Sequence, residues 1–193
     1  MARRAFIIHG WEGDPSHGWY PWLKEKLEEK GFEAHVPAMP DPDEPKIKSW
    51  VSTLKKEVGK VDKDTFFVGH SVGCQTIMRF LEDLDDDTKI GGVIFVAPWM
   101  HLDPKTIEEE GEEVVEIARP WMETPIDYDK IRKFAKYICL FSDNDPYVPL
   151  SDIDLFEEKL GADTILEYGK GHFTQDDGCN ELPFVFEEIM KLI

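Results

Sequence analysis

The chain has 193 residues, of which 41% are hydrophobic and 32% are charged, a composition typical of one globular domain with its own core. Its net charge of −18 argues against nucleic-acid phosphates or an anionic membrane surface as partners. No apolar run approaches the length of a membrane span, and residues 1–4 lead directly into a strand-like segment, so we expect no signal peptide.

The apolar pattern predicts alternating strands and helices in chain order. The predicted strands cover residues 4–9, 32–36, 65–68, 91–97, 137–142 and 164–168. The predicted helices cover residues 19–30, 47–59, 72–84, 151–160 and 183–192, the fourth with Ser151 or Asp152 as its N-cap. Alternation of this kind predicts a single α/β domain over residues 1–193, with three α/β/α layers and a mostly parallel six-stranded sheet.

Residues 98–136 interrupt this alternation between the fourth and fifth predicted strands. The segment contains the acidic run at residues 108–113, which is typical of a solvated helix face. It also leaves the C-terminal end of a strand, where open α/β sheets bind their ligands. Two interpretations stay open: a partial cap over a ligand site, or a plain structural helix.

The cysteines indicate a reducing environment. There are three of them, Cys74, Cys139 and Cys179, at wide spacing and without a zinc-binding pattern, so we expect no metal site. Cys74 and Cys139 lie in predicted core elements and are expected to be buried, reduced thiols. This favours a cytoplasmic location.

The sequence around Ser71 has the order of a nucleophile elbow. A β-prone run ends in Gly69-His70-Ser71-Val72-Gly73, and an amphipathic helix follows. The two glycines let the strand and the helix approach closely at the turn. Ser71 would then lie at a helix N-terminus, where the backbone N–H of Val72 can stabilise an oxyanion.

A serine nucleophile needs a base and an acid that orients the base. His172 follows the sixth predicted strand on a glycine-containing loop and is the candidate base. The loop after the fifth strand offers two carboxylates, and the pattern Asp145-Pro146-x-Val148-Pro149 favours Asp145 as the acid. Asp143 is expected to assist or to hold the loop by accepting backbone N–H bonds.

The loop after the first strand carries the second expected oxyanion donor, the backbone N–H of Trp11. His9 is expected to brace this loop or to pack in the core. His101 is a further candidate for lining the substrate pocket. The main candidates for substrate contacts are aromatic or lie beside the nucleophile: Trp11, His70, Trp99 and Trp121.

Together these motifs resemble the α/β-hydrolase superfamily and, within it, the small serine-hydrolase family that includes retinoblastoma-binding protein nine and YdeN. The matching motifs cover nearly the whole chain in order: His9-Gly10-x-x-Gly13, Gly69-His70-Ser71-x-Gly73, Arg119-Pro120-Trp121, Asp145-Pro146-x-x-Pro149 and Gly171-His172-Phe173. The resemblance implies a Ser71–Asp145–His172 triad and a compact hydrolase fold with a minimal cap or none. The retinoblastoma-pocket motif Leu-x-Cys-x-Glu is absent: the nearest stretch, 177–181, lacks the leucine. A retinoblastoma partner is therefore not expected.

The expected function is hydrolysis of a small ester, thioester or amide through an acyl-enzyme, without a cofactor. A small acyl compound is the expected partner, and the oligomeric state stays open. Two alternatives remain at this point: a non-catalytic interaction module on a hydrolase scaffold, or an acyltransferase that uses the same triad.

Overall fold

The computed structural model describes residues 2–193 and contains one six-stranded sheet. Its strands are β1 (Arg4–Ile8), β2 (Glu33–His35), β3 (Thr65–His70), β4 (Gly92–Val96), β5 (Tyr137–Ser142) and β6 (Asp163–Glu167). The strand order is β2-β1-β3-β4-β5-β6, and each neighbouring pair is parallel. The predicted six-stranded parallel sheet is therefore confirmed.

Helices cover both faces of this sheet. They are α1 (Tyr20–Glu29), α2 (Ile47–Val58), α3 (Val72–Glu82), α4 (Pro104–Glu110), α5 (Glu112–Glu123), α6 (Tyr128–Ile131), α7 (Asp152–Leu160) and α8 (Pro183–Leu192). Helix α1 packs against α8, while α3 packs against α2 and α6, and α6 packs against α7. These contacts give the predicted α/β/α layers.

The sheet is most deeply buried at its centre. All residues of β3, β4 and β5 are buried, whereas the edge strand β6 is half-buried or exposed. Parallel strands with helices on both faces lose contact with water on both sides, which explains their continuous apolar sequences. Strand β2 lies on one side of β1 and β3 lies on the other, so the strand order changes direction at this point. The loops that leave β1 and β3 flank the crevice where such sheets bind ligands.

The segment 98–136 forms three short helices, α4, α5 and α6. Helix α5 is anchored by Trp121, which is fully buried, stacks edge-on against Trp50 and donates an indole hydrogen bond to the carbonyl of Pro45 at 2.9 Å. Arg79 of α3 donates to the carbonyls of Trp121 and Thr124, both at 2.9 Å. The indole of Trp121 is fully buried in these contacts. Trp121 therefore has a structural role, and the prediction that it contacts the substrate is wrong.

Of the two predicted N-caps of α7, Ser151 occupies the N-cap position, although its side chain makes no capping bond. Asp152 lies inside the helix, where its buried carboxylate accepts from the backbone N–H groups of Met100 at 2.6 Å and His101 at 3.0 Å, and bonds the His101 ring at 2.6 Å. Asp152 therefore holds the segment that follows β4 in place. Its carboxylate binds N–H groups of that distant segment instead of capping its own helix.

The three cysteines are buried free thiols, as expected for Cys74 and Cys139. Burial raises the pKa of each of the three thiols. Among the side chains that the structure describes, no cluster of histidine, cysteine and carboxylate groups could hold a metal ion. Within the same residues, no helix combines the length and the apolar character needed to cross a bilayer.

Candidate active site

The turn between β3 and α3 has the strained backbone of an elbow. Ser71 adopts a φ of 52° and a ψ of −121°, a conformation that side-chain-bearing residues rarely adopt. A Cβ at position 73 would overlap the backbone carbonyls of Ile8 and His9, and one at position 69 would lie 2.8 Å from the backbone of Cys74. Both glycines are therefore required by close packing, as the sequence predicts.

The loops after β5 and β6 bring Asp145 and His172 together. Asp145 Oδ2 lies 2.8 Å from His172 Nδ1, and both side chains are almost completely shielded from water. The other oxygen of Asp145 accepts from the backbone N–H groups of Tyr147 at 2.9 Å and Val148 at 3.1 Å. The carboxylate is thus oriented on one side and accepts the His172 Nδ1–H on the other.

Side chains of the loop after β5 also hold the loop that carries His172. The backbone N–H groups of Gly169, Lys170 and Gly171 donate respectively to Asp143 Oδ1 at 2.7 Å, Ser142 Oγ at 3.1 Å and Asn144 Oδ1 at 2.9 Å. The loop-holding role expected for Asp143 is confirmed. The roles of Ser142 and Asn144 were missed, because local sequence does not show which distant N–H groups a side chain meets.

The main-chain polar groups of His172 are fixed as well. Its backbone N–H donates to Asp177 Oδ2 at 2.9 Å, and its carbonyl lies 2.7 Å from His70 Nε2. Its Nε2 has no hydrogen-bond partner among the described groups. Ser71 lines the same cavity but makes no hydrogen bond to this nitrogen. Hydrogen bonds between such groups commonly shorten only when substrate binds. Nε2 is thus the nitrogen available to a substrate or to the serine.

His70 contacts the cavity but uses both ring nitrogens within the protein. Its Nδ1 lies 2.6 Å from the hydroxyl of Tyr20, and its Nε2 bonds the carbonyl of His172. Burial, followed by the charge of His172, lowers the pKa of His70 to about 3, so its ring is neutral. The expected substrate contact of His70 is therefore limited to its apolar ring face.

The loop after β1 passes directly against the nucleophile. A Cβ at Gly10 would lie 3.2 Å from that of Ser71. The backbone N–H of Trp11, one residue later, has no acceptor among the described residues. Val72 is the first residue of α3, a position whose N–H has no partner inside the helix. The structure therefore brings both expected oxyanion donors to the nucleophile region.

His9 braces this loop, which is the role preferred from sequence. Its Nε2 accepts from the backbone N–H of Met39 at 3.0 Å, so Nδ1 carries the proton and donates to the carbonyl of Gly10 at 2.8 Å. Burial lowers the pKa of His9, which keeps the ring neutral.

A cavity of about 810 Å³ surrounds Ser71 and His172. Trp11, His70 and Trp99 belong to its lining, as expected, whereas Trp121 does not. His101 is also absent from the lining, since its exposed ring bonds Asp152. The segment 98–136 contributes a further group of lining residues, three of them apolar: Leu102, Thr106, Glu113, Val114 and Ile117.

Comparisons with known proteins show to which family the chain belongs. The sequence model of the serine hydrolase family matches residues 5–191. The chain is 31% identical over 189 residues to YdeN of Bacillus subtilis (strain 168), covering 97% of this chain and 94% of YdeN. It is 26% identical over 195 aligned residues to the serine hydrolase RBBP9 of Rattus norvegicus, covering 98% and 93% of the two chains.

Solved structures give the same result for the fold. The crystal structure of the ydeN gene product from B. subtilis superposes with a TM-score of 0.87 at 28% identity, over 98% of both chains. Est1E from Butyrivibrio proteoclasticus shares the fold, with a TM-score of 0.71 at 16% identity over 98% of this chain and 86% of Est1E. The chain therefore belongs to the serine hydrolase family and is a hydrolase with the α/β-hydrolase fold.

Proposed function

We propose that the protein hydrolyses small esters, thioesters or amides through an acyl-enzyme, with Ser71 as nucleophile, His172 as base and Asp145 as the orienting acid. One observation carries this proposal: Ser71 stands on a strained turn in the same cavity as His172, whose Nδ1 bonds Asp145. A buried carboxylate on Nδ1 fixes the tautomer in which Nε2 can accept a proton.

The mechanism follows from these positions. Ser71 Oγ attacks the substrate carbonyl carbon while its proton passes to His172 Nε2, and the new imidazolium is stabilised by Asp145. The backbone N–H groups of Trp11 and Val72 stabilise the negative oxygen. His172 then gives its proton to the leaving group. A water molecule, activated by the same nitrogen, attacks the acyl carbon and restores Ser71.

The cavity supports small, uncharged acyl compounds as substrates. The segment 98–136 supplies a largely apolar wall, and we assign it the role of a partial cap. The lining contains no lysine or arginine, but it does contain several carboxylates: Glu12, Asp43, Glu113, Asp176 and Asp177. Anionic substrates would be repelled by this lining. We also propose a cytoplasmic location, because a reducing compartment preserves free thiols.

A fluorophosphonate probe tests the nucleophile. Intact-mass spectrometry of the parent should show one covalent adduct, and Ser71→Ala should remove both the adduct and the turnover of short acyl esters. Ser151→Ala is the matched control, because Ser151 is exposed and makes no capping bond. An adduct that persists in folded Ser71→Ala would refute the assignment. Product analysis with and without added alcohols or amines distinguishes hydrolysis from acyl transfer.

A further inference from the structure

A buried chain of hydrogen bonds joins the two loops that hold the oxyanion donor and the base. The backbone N–H of Gly10 donates to the Tyr20 hydroxyl oxygen at 3.3 Å. The Tyr20 hydroxyl donates to His70 Nδ1 at 2.6 Å, and His70 Nε2–H donates to the carbonyl of His172 at 2.7 Å. The direction is fixed at both ends, because a backbone N–H can only donate and a carbonyl can only accept.

We propose that Tyr20 and His70 are positioning residues that set the Trp11 oxyanion donor and the His172 base relative to each other. This proposal rests on the proposed function. The connection is called the Tyr20–His70 relay below.

The geometry ties the relay closely to the reacting groups. Gly10 directly precedes Trp11, so a displacement of the Gly10 N–H also displaces the Trp11 N–H. At the other end the relay holds the main chain of His172 itself, while Asp145 holds its ring. An error of about 1 Å in such groups can cost on the order of 100-fold in rate. The relay therefore positions two groups that meet the substrate carbonyl: the oxyanion donor and the base.

Burial makes the relay stiff. Tyr20 is 5% exposed and His70 is 3% exposed, so water cannot replace a lost partner in the relay without rearrangement. Trp19, the neighbour of Tyr20, strengthens the same attachment, because its indole donates to the carbonyl of Phe173 at 3.1 Å. The beginning of α1 thus bonds the Phe173 carbonyl directly and reaches the His172 carbonyl through His70.

His70 keeps its role throughout the reaction cycle. Burial and the positive charge of His172 together lower the pKa of His70 to about 3, so His70 stays neutral at ordinary pH even when His172 is protonated. A neutral ring keeps Nδ1 as an acceptor for Tyr20 and Nε2–H as a donor to His172. The relay therefore stays intact when the base is protonated.

Tyr20→Phe tests the relay with Tyr137→Phe as a matched control. Both hydroxyls are buried and hydrogen-bonded, but that of Tyr137 donates to Ile131 at 2.6 Å outside the site. Each variant should melt about 2–8 °C below the parent. Only Tyr20→Phe should lower kcat for a short acyl ester, by about 10- to 100-fold, with KM within about twofold. Equal kcat in the two variants would overturn the relay.

Rescue at His70 gives an independent readout. His70→Gln retains one acceptor and one donor at similar spacing and should recover a large part of the kcat that His70→Ala loses. Failure of Gln to exceed Ala, with both variants folded, would count against the relay. Turnover in the parent that disappears in Ser71→Ala establishes the function separately. A parent without Ser71-dependent turnover would overturn both proposals.

Discussion

Replacing Asp145 by asparagine tests the proposed triad most directly, because the structure predicts how the new amide would turn. The backbone N–H groups of Tyr147 and Val148 both donate to Oδ1 of Asp145. In Asp145→Asn these donors require the amide oxygen at that position, which leaves the NH₂ group facing His172 Nδ1. Two donors cannot pair, so His172 would take the tautomer with its proton on Nε2.

That tautomer cannot accept the serine proton. We therefore expect kcat to fall by about 10⁴-fold, which corresponds to roughly 5.5 kcal/mol of transition-state stabilisation. The loop should remain folded, since the amide oxygen keeps the bonds to both backbone donors. Asp143→Asn is the matched control: its amide oxygen can still accept from the Gly169 N–H, so the loss should stay below about tenfold.

The assay is the steady-state hydrolysis of a short acyl ester by the parent and the two variants, with thermal melts to confirm folding. Asp145→Asn should lose far more kcat than Asp143→Asn. If Asp143→Asn loses as much kcat as Asp145→Asn, or more, the tautomer argument is wrong.

Two further predictions concern the cavity wall and the stability of the fold. Val114→Ala or Ile117→Ala should raise the ratio of kcat/KM for long over short acyl esters by about tenfold, because each enlarges the proposed cap wall. Trp121→Phe should leave that ratio unchanged but lower the free energy of unfolding by about 1–3 kcal/mol, since the bond to Pro45 is lost. A changed ratio in Trp121→Phe alone would contradict the assignment of Trp121 to the core and of Val114 and Ile117 to the cavity wall. The second prediction follows from the pKa of His70, about 3 in the folded protein against an ordinary 6.5. Between these values the unfolded chain binds the extra proton, so His70 destabilises the fold as pH falls, by up to about 1.4 kcal/mol per pH unit. Denaturant titrations from pH 4 to 7 should therefore show a shallower pH slope for His70→Gln, and equal slopes would refute a neutral buried His70.

The sequence predicted the central elements well, because burial on both faces leaves a clear apolar signature. The predicted bounds of β5 and α8 agree with the structure residue for residue, and the elbow motif predicted the turn at Ser71. The contact between Asp145 and His172 was predictable for a different reason: topology brings the C-terminal ends of neighbouring parallel strands to the same edge of the sheet.

Errors arose where local patterns fit two environments equally well. Trp121 lies on the apolar face of α5, and such a face looks the same in sequence whether it contacts a core or a cavity. Asp152 fits the local rule for an N-cap, but its partners lie about 50 residues earlier in the chain. The partners of His70 lie 50 and 102 residues away, so only the folded chain shows its role.

The bonds between the loops after β5 and β6 also affect how this enzyme can change its substrate range. Three side chains from residues 142–144 and the Asp145–His172 bond tie these loops together, so an insertion in either would disturb acid and base at once. The segment 98–136 touches the same cavity but supplies none of the proposed triad. New specificities are therefore expected to arise by remodelling that segment, while the two tied loops remain as a fixed unit.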